Sequence, residues 1–189
     1  MAQSRHRPRS SPFAPSGRLP LTVPRAEEDL PKFDNLHATV RYGYFHGYRW
    51  LDRRRVAPLF PFGFGLSYTT FRYANLVLSR PSIGPYGRLR VTVDVTNTGD
   101  VAADEVVQLY VATGPSQVVR AVRDLRDFTR VHLEPGQTRT VPLELAARDL
   151  AYWDVNANAW RVEPTSYRVQ VGSSSRALPL AASFIVTAR

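Results

Sequence analysis

The residues able to do chemistry are few and lie far apart in the chain. Glu27, Glu28 and Asp29 form the densest acidic run. Acid–base catalysis by carboxyl groups needs two of them converging on a reacting bond, one held protonated by its surroundings. This triplet sits between Pro24 and Pro31 with nothing apolar placed to shift a pKa, and it reads as solvated charge. Trp153 followed by Asp154 sets an indole beside a carboxylate. That pair suits a sugar stacked next to an acid, and it also suits a packed ring followed by a turn cap, the commoner arrangement at a strand end. His6, His37, His46 and His132 lack the spacing of metal ligands. Ser67 and Ser116 have neither an adjacent base nor an elbow motif. Gly63 and Gly65 precede no helical pattern, so they form no phosphate loop; they let the backbone bend sharply between aromatic side chains. The absence of cysteine excludes disulfides, thiolate metal sites and cysteine nucleophiles. No catalytic, cofactor-binding or metal-binding set emerges.

The elements that would position such residues are mainly strands. From Tyr68 onward, apolar residues recur with period two. Leu89, Val91, Val93 and Val95 share one face, and Arg90, Thr92, Asp94 and Thr96 share the other, as in a half-buried strand. Asn97-Thr98-Gly99-Asp100 reads as a turn. Val107, Leu109 and Val111 make a second strand with Tyr110 on its opposite face. Further strands are expected over Phe128–Leu133, Thr138–Leu145, Trp160–Glu163, Tyr167–Gly172 and Leu178–Thr187, with Pro142 marking an edge. Arg148-Asp149-Leu150 reads as one helical turn. The pattern predicts an all-β, immunoglobulin-like or fibronectin type III-like β-sandwich over 68–189, with Tyr167, Val169, Val171 and Phe184 also facing inward. Residues 1–16, rich in Ser, Arg and Pro, are expected to be disordered. Residues 17–67 show no helical or strand period and are expected to be irregular and poorly fixed without a partner. Their aromatic residues, dense between 42 and 64, suit packing against catalytic domains or another copy of the chain.

Charge narrows the partners. The net charge is +9, with Lys32 the only lysine. Residues 1–67 hold 11 basic and 5 acidic side chains, a balance of 11 − 5 = +6, and residues 68–189 hold 14 and 11, a balance of 14 − 11 = +3. The excess lies in the irregular front, which favours a solvated tail over a nucleic-acid site. No apolar run approaches the roughly 20 residues needed to span a bilayer, and no apolar stretch follows Arg5, Arg7 and Arg9 as in a signal peptide. The expectation is no nucleic acid, no membrane and, by default, a cytoplasmic location.

Phe60-Pro61-Phe62-Gly63-Phe64-Gly65-Leu66-Ser67-Tyr68-Thr69 resembles a motif of family 3 glycoside hydrolases, the β-glucosidase and β-xylosidase group. Other segments resemble that family in the same order. They are Gly17-Arg18-Leu19-Pro20 with Val23-Pro24, Gly47-Tyr48-Arg49-Trp50 with Asp52, Val95 to Gly99, and Glu105 to Val111. Leu133-Glu134-Pro135-Gly136 and Arg148-Asp149-Leu150 with Trp153-Asp154 complete the series. Three positions depart from it: Tyr42 replaces an acidic residue before Gly43, Phe64 a polar one, and Thr165 the glycine of a turn before Tyr167. If that glycine takes a positive φ, Thr165 strains the turn.

The resemblance implies that 68–189 is the family's fibronectin type III-like domain and that 17–67 is the end of its α/β sandwich domain. It places the nucleophilic aspartate in an N-terminal barrel and the acid/base glutamate upstream of the matched segments. Neither motif is present, so no catalytic residue carries over and the chain alone is expected to be inactive. The expected role is a non-catalytic module of a β-glucosidase-like enzyme. The alternative is a carbohydrate- or surface-binding module using Tyr152, Trp153 and Trp160, favoured if those rings are co-planar and exposed.

Overall fold

Alternation in the sequence becomes strand pairing in the structure. A computed structural model describes residues 14–32, 36, 39 and 43–188. The expected disorder of 1–16 therefore falls largely outside the described residues, as do His6, His37 and Tyr42.

Ten strands follow one another: β1 (Phe71–Leu78), β2 (Ser82–Ile83), β3 (Arg88–Asn97), β4 (Ala103–Thr113), β5 (Asp124–Leu133), β6 (Thr138–Ala146), β7 (Tyr152–Asp154), β8 (Ala159–Arg161), β9 (Ser166–Gly172) and β10 (Leu180–Val186). They form a three-stranded sheet in the order β1-β3-β6, a five-stranded sheet in the order β2-β10-β9-β4-β5, and a β7-β8 hairpin. β2 pairs parallel with β10, and every other pairing is antiparallel. The fold is all-β, as the sequence leads one to expect, and the two sheets make a sandwich. β1, β2 and β7 have no counterpart among the expected strands. A one-turn 3-10 helix does form at Ala147–Leu150.

The core lies between the sheets. Leu89, Val91, Val93 and Val95 of β3 are fully buried and pair across the ladder with β6, Val91 opposite Leu143 and Val93 opposite Val141. From the other sheet come Leu109 opposite Val171 and Val111 opposite Val169. Tyr167 and Phe184 are opposite each other on β9 and β10, their rings stacked 5.5 Å apart. The Tyr167 hydroxyl donates to Glu163 O at 3.0 Å, the tyrosine corner common in such sandwiches. Thr165, just before it, has no positive φ, so the strain expected from its replacing a glycine is not there.

Each rim of the two sheets has a local interruption. β1 shifts register between Ala74 and Val77, where Asn75 has φ 53. β6 has a neighbour on one side only, which accommodates Pro142. β2 is two residues long. Next to β5, β4 shifts register between Leu109 and Tyr110, and Asp127 of β5 reaches across to accept the Glu144 N–H of β6 at 2.8 Å.

The front segment departs most from expectation. Gly47–Arg54 is an α-helix, α1, within the stretch expected to lack regular structure. Leu51 and Asp52 are its buried residues. Arg55 ends it in a left-handed conformation (φ 57), with its N–H donating to Asp52 O at 3.1 Å. With Leu51 as its one buried apolar residue, this eight-residue helix carries too short an apolar stripe to announce itself in the sequence.

Candidate functional site

The front segment is fastened to the outer face of the five-stranded sheet. Residues 19–23 and 59–64 first pair with each other. Leu19 N donates to Phe64 O at 2.8 Å, Gly63 N to Leu19 O at 2.9 Å, and Val23 N to Phe60 O at 2.9 Å. The loop after β9 then joins through Ser175 N, which donates to Phe62 O at 2.9 Å.

A close approach at Gly63 fixes the register of this contact. Gln108 projects from β4 away from the core and is 3% exposed. Its Nε2 donates to Gly63 O at 3.2 Å and Ser173 O at 2.6 Å, while its Oε1 accepts the Tyr110 hydroxyl at 2.7 Å. Gly63 has φ +79, and a Cβ there would lie 2.2 Å from Gln108 Oε1. Only glycine meets both conditions. Tyr110 is fully buried and meets the Tyr48 ring of α1 edge-on at 6.0 Å.

Three charged contacts surround this point. Arg18 Nη2 lies 2.5 Å from Glu105 Oε2, and the Tyr73 hydroxyl donates to Glu105 Oε1 at 2.7 Å. Burial raises the Glu105 pKa, with Tyr73 and Arg18 opposing, and burial beside that carboxylate pushes the Tyr73 phenol up. Arg49 Nε lies 2.5 Å from Asp124 Oδ1, and the Tyr44 hydroxyl donates to Asp124 Oδ2 at 3.1 Å. Asp52 of α1 lies between Arg123 Nε at 3.0 Å and Arg176 Nη2 at 2.8 Å. These act as charge pairs, since Arg176 Nη2 aims its hydrogen bond at Val56 O. Burial raises the Asp52 pKa against both arginines. Each buried carboxylate thus has a cationic partner, the condition under which burying charge is tolerated.

Beside Arg18 and Glu105 opens a cleft of about 310 Å³, lined also by Phe64, Ser67, Thr69, Tyr73 and Ser174. Among the described residues of its lining, Glu105 is the one carboxyl group. Retaining and inverting glycosidases both need two.

The residues singled out from the sequence do not converge. Glu27–Asp29 form a 3-10 turn in which Asp29 Oδ2 accepts the Ala26 N–H at 3.3 Å and Asp29 O accepts the Trp50 indole N–H at 2.9 Å. His46 Nδ1 is 2.8 Å from Gly43 O. His132 lies between Asp104 at 2.7 Å and Glu134 at 3.3 Å on an exposed surface, contacts that raise its pKa. Ser67 Oγ accepts the Thr69 N–H at 3.4 Å. Ser116 Oγ donates to Glu163 Oε2 at 2.6 Å. Burial works to raise Glu163, but Ser116, the Gln117 N–H and Arg120 outweigh it and hold the carboxyl below its usual range. Asp154 caps the β7–β8 turn, accepting from Asn156 N at 3.0 Å and Ala157 N at 3.1 Å, and pairs with Arg161 at 3.1 Å. Trp153 and Trp160 are exposed, not packed in the core, and their rings stand at 74° instead of co-planar. Sequence reasoning missed Arg18, Glu105, Asp124, Arg123 and Gln108. The near-continuous apolar run around Gln108, Glu105-Val106-Val107-Gln108-Leu109-Tyr110-Val111, was the available signal, because a strand covered on both faces reads that way.

The description of the family model that matches residues 105–175 is "Fibronectin type III-like domain". A β-glucosidase of Rhizobium radiobacter is 45% identical over 170 residues, 85% of this chain and 21% of the relative. The β-D-glucoside glucohydrolase structure from Trichoderma reesei aligns with a TM-score of 0.84 and 32% identity, over 93% of this chain and 27% of that one. The GH3 β-glucosidase of Bifidobacterium adolescentis aligns with a TM-score of 0.82 and 36% identity, over 92% and 26%. The chain matches the C-terminal part of family 3 glycoside hydrolases. It spans between 21% and 27% of the length of these relatives. The structural matches extend well beyond the sandwich, residues 68–189, into the front segment. In both of these structures, therefore, the matched region takes in the front segment as well as the sandwich.

Proposed function

We propose that the chain is a non-catalytic module of a β-glucosidase-like hydrolase of O-glycosyl bonds, and that it packs against and stiffens catalytic domains. One observation carries the reading. The front segment is locked to the sandwich by one side yet leaves Leu21, Leu59, Phe60 and Leu66 exposed, as is Tyr68 where it joins the sandwich, between 39% and 71%. Apolar side chains gathered in one fixed segment suit a protein interface. The single, already paired carboxyl of the cleft supports the non-catalytic part. On this reading, residues 17–188 form one body, with the front segment belonging as much to the sandwich as to whatever precedes it.

The test has two arms. The purified chain should match the blank on aryl β-glucosides, β-xylosides and α-arabinosides; turnover that follows the protein peak through repurification overturns the non-catalytic assignment. Added to the catalytic region of a family 3 β-glucosidase lacking its own module, the chain should raise the thermal midpoint of that region. Leu66→Asp and Tyr68→Asp should abolish the gain. No association, or association indifferent to both changes, removes the packing role.

A further inference from the structure

The β7–β8 hairpin holds the most exposed tryptophan pair on the molecule, and nothing in the packing role uses it. Trp153 and Trp160 are directly opposite in the ladder, with centroids 5.6 Å apart and planes at 74°. Trp160 is 70% exposed, Trp153 43% and the neighbouring Val155 78%. Neither indole N–H has a partner among the described residues, and the same holds for the carboxamides of exposed Asn156 and Asn158 at the tip. Exposed tryptophan with an unfilled donor is amphipathic surface in search of a ligand with one apolar and one wet side.

The rings are exposed but not co-planar, so they make no flat two-ring platform; we infer instead that this hairpin binds a single saccharide ring, with Trp160 taking the C–H face of a neutral sugar and Trp153 holding it in place edge-on. The chemistry of the surroundings selects the occupant. Period two puts Tyr152, Asp154 and Arg161 on the face opposite the indoles, where Asp154 and Arg161 neutralise each other at 3.1 Å. The hairpin's own charged side chains are therefore paired with each other and lie on the other face from the indoles. The indole face offers ring surface, N–H donors and amides that both donate and accept, which suits a ligand of hydroxyls and C–H groups. Three residues per strand and a four-residue tip fall far short of the roughly 800 Å² per partner that a stable protein interface buries. The hairpin is also held rigid: Tyr152 lies under Arg120 at 4.9 Å, and Arg120 is fixed to Glu163 at 2.9 Å. A surface ordered before binding loses little entropy on binding. The inference needs no catalytic partner and stands apart from the packing role.

The full chain should be titrated with soluble β-1,4- and β-1,3-linked gluco-oligosaccharides by calorimetry. Saturable association is expected, insensitive to salt and weakened about tenfold or more by Trp160→Ala and by Trp153→Ala. Tyr86→Ala, which removes a ring 95% exposed elsewhere, should leave it unchanged. Denaturant midpoints of the three variants verify that each is folded. Absence of saturable binding at millimolar sugar overturns the proposal, as does binding that Trp160→Ala leaves intact. Concentration-dependent self-association lost in Trp160→Ala also overturns it, assigning the face to a second copy of the chain.

Discussion

The two sheets of this sandwich share one core but meet the outside differently. The outer face of β1-β3-β6 is wet and threaded by side-chain hydrogen bonds: Thr96 to Thr138 at 2.7 Å, Thr140 to Asp94 at 2.6 Å, Asn75 to Asp94 at 2.8 Å. The outer face of the five-stranded sheet is dry at β4, where Gln108 and Tyr110 are as buried as the core valines. The difference is the front segment, which lies across one face and not the other. Burial on a strand's second face is thus a record of what lies over it.

The largest effect should come from comparing the two faces directly. Tyr110→Ala removes a fully buried ring and its hydroxyl's bond to Gln108, and should cost about 3–5 kcal/mol. Thr92→Ala, on the wet face, should stay within about 0.5 kcal/mol. Denaturant midpoints of the full chain measure both. Similar midpoints would mean that the front segment does not cover β4 in solution.

A smaller effect separates two glycines of nearly the same conformation. Gly63 (φ +79) faces Gln108, and Gly136 (φ +72) has nothing within 4 Å of its would-be Cβ. Alanine at either meets the left-handed penalty of about 1–2 kcal/mol. At Gly63 it also displaces a buried amide that makes three hydrogen bonds, so Gly63→Ala should cost more. It should also speed amide exchange at Leu19 and Gly63, whose N–H groups hold the front ladder. Equal costs, or unchanged exchange at Leu19, would unfasten the segment from the sheet.

The smallest effect is in the acid titration of stability. Glu105, beneath the front segment, has a raised pKa. Its contribution to stability is present below the usual carboxylate range and is lost as pH rises through the raised value. Glu163, near the hairpin, has a lowered pKa; its contribution is present above the usual range and is lost as pH falls through the lowered value. Glu105→Gln and Glu163→Gln should therefore change the slope of stability against pH in opposite senses, measured by denaturation between about pH 3 and 7. Changes of the same sign would contradict the opposite balance at the two sites, where burial prevails over the partners of Glu105 and the hydrogen bonds and arginine prevail over burial at Glu163.

The legibility of these regions in sequence follows the same division. β3 was readable because a strand with one dry face alternates: Val91, Val93 and Val95 against Arg90, Thr92 and Asp94. β4 was readable as a strand but only half as a surface, since the period-two template assigns Tyr110 to solvent. β1 escaped because its register breaks at Asn75. α1 escaped because its buried side, Leu51 and Asp52, includes a carboxylate that only two distant arginines make tolerable. The site was the least legible part. Arg18 and Glu105 are 87 residues apart, and no local pattern connects a charge to its partner across that distance.

The interrupted rims have a consequence for colloidal behaviour. A β-sandwich exposes two open edges per sheet, and each is a template on which a stray chain can add a strand. Here β1 is kinked at Asn75 and β6 carries Pro142. β2 stops after two residues, and the Asp127 side chain of β5 already occupies an amide of β6. Each of these features shortens the run of free N–H and C=O groups that a rim offers to a newcomer. Copies crowded together, as on a ribosome or beside a large enzyme, are thereby steered away from fibrous assembly by backbone chemistry alone, whatever their exposed aromatic side chains attract.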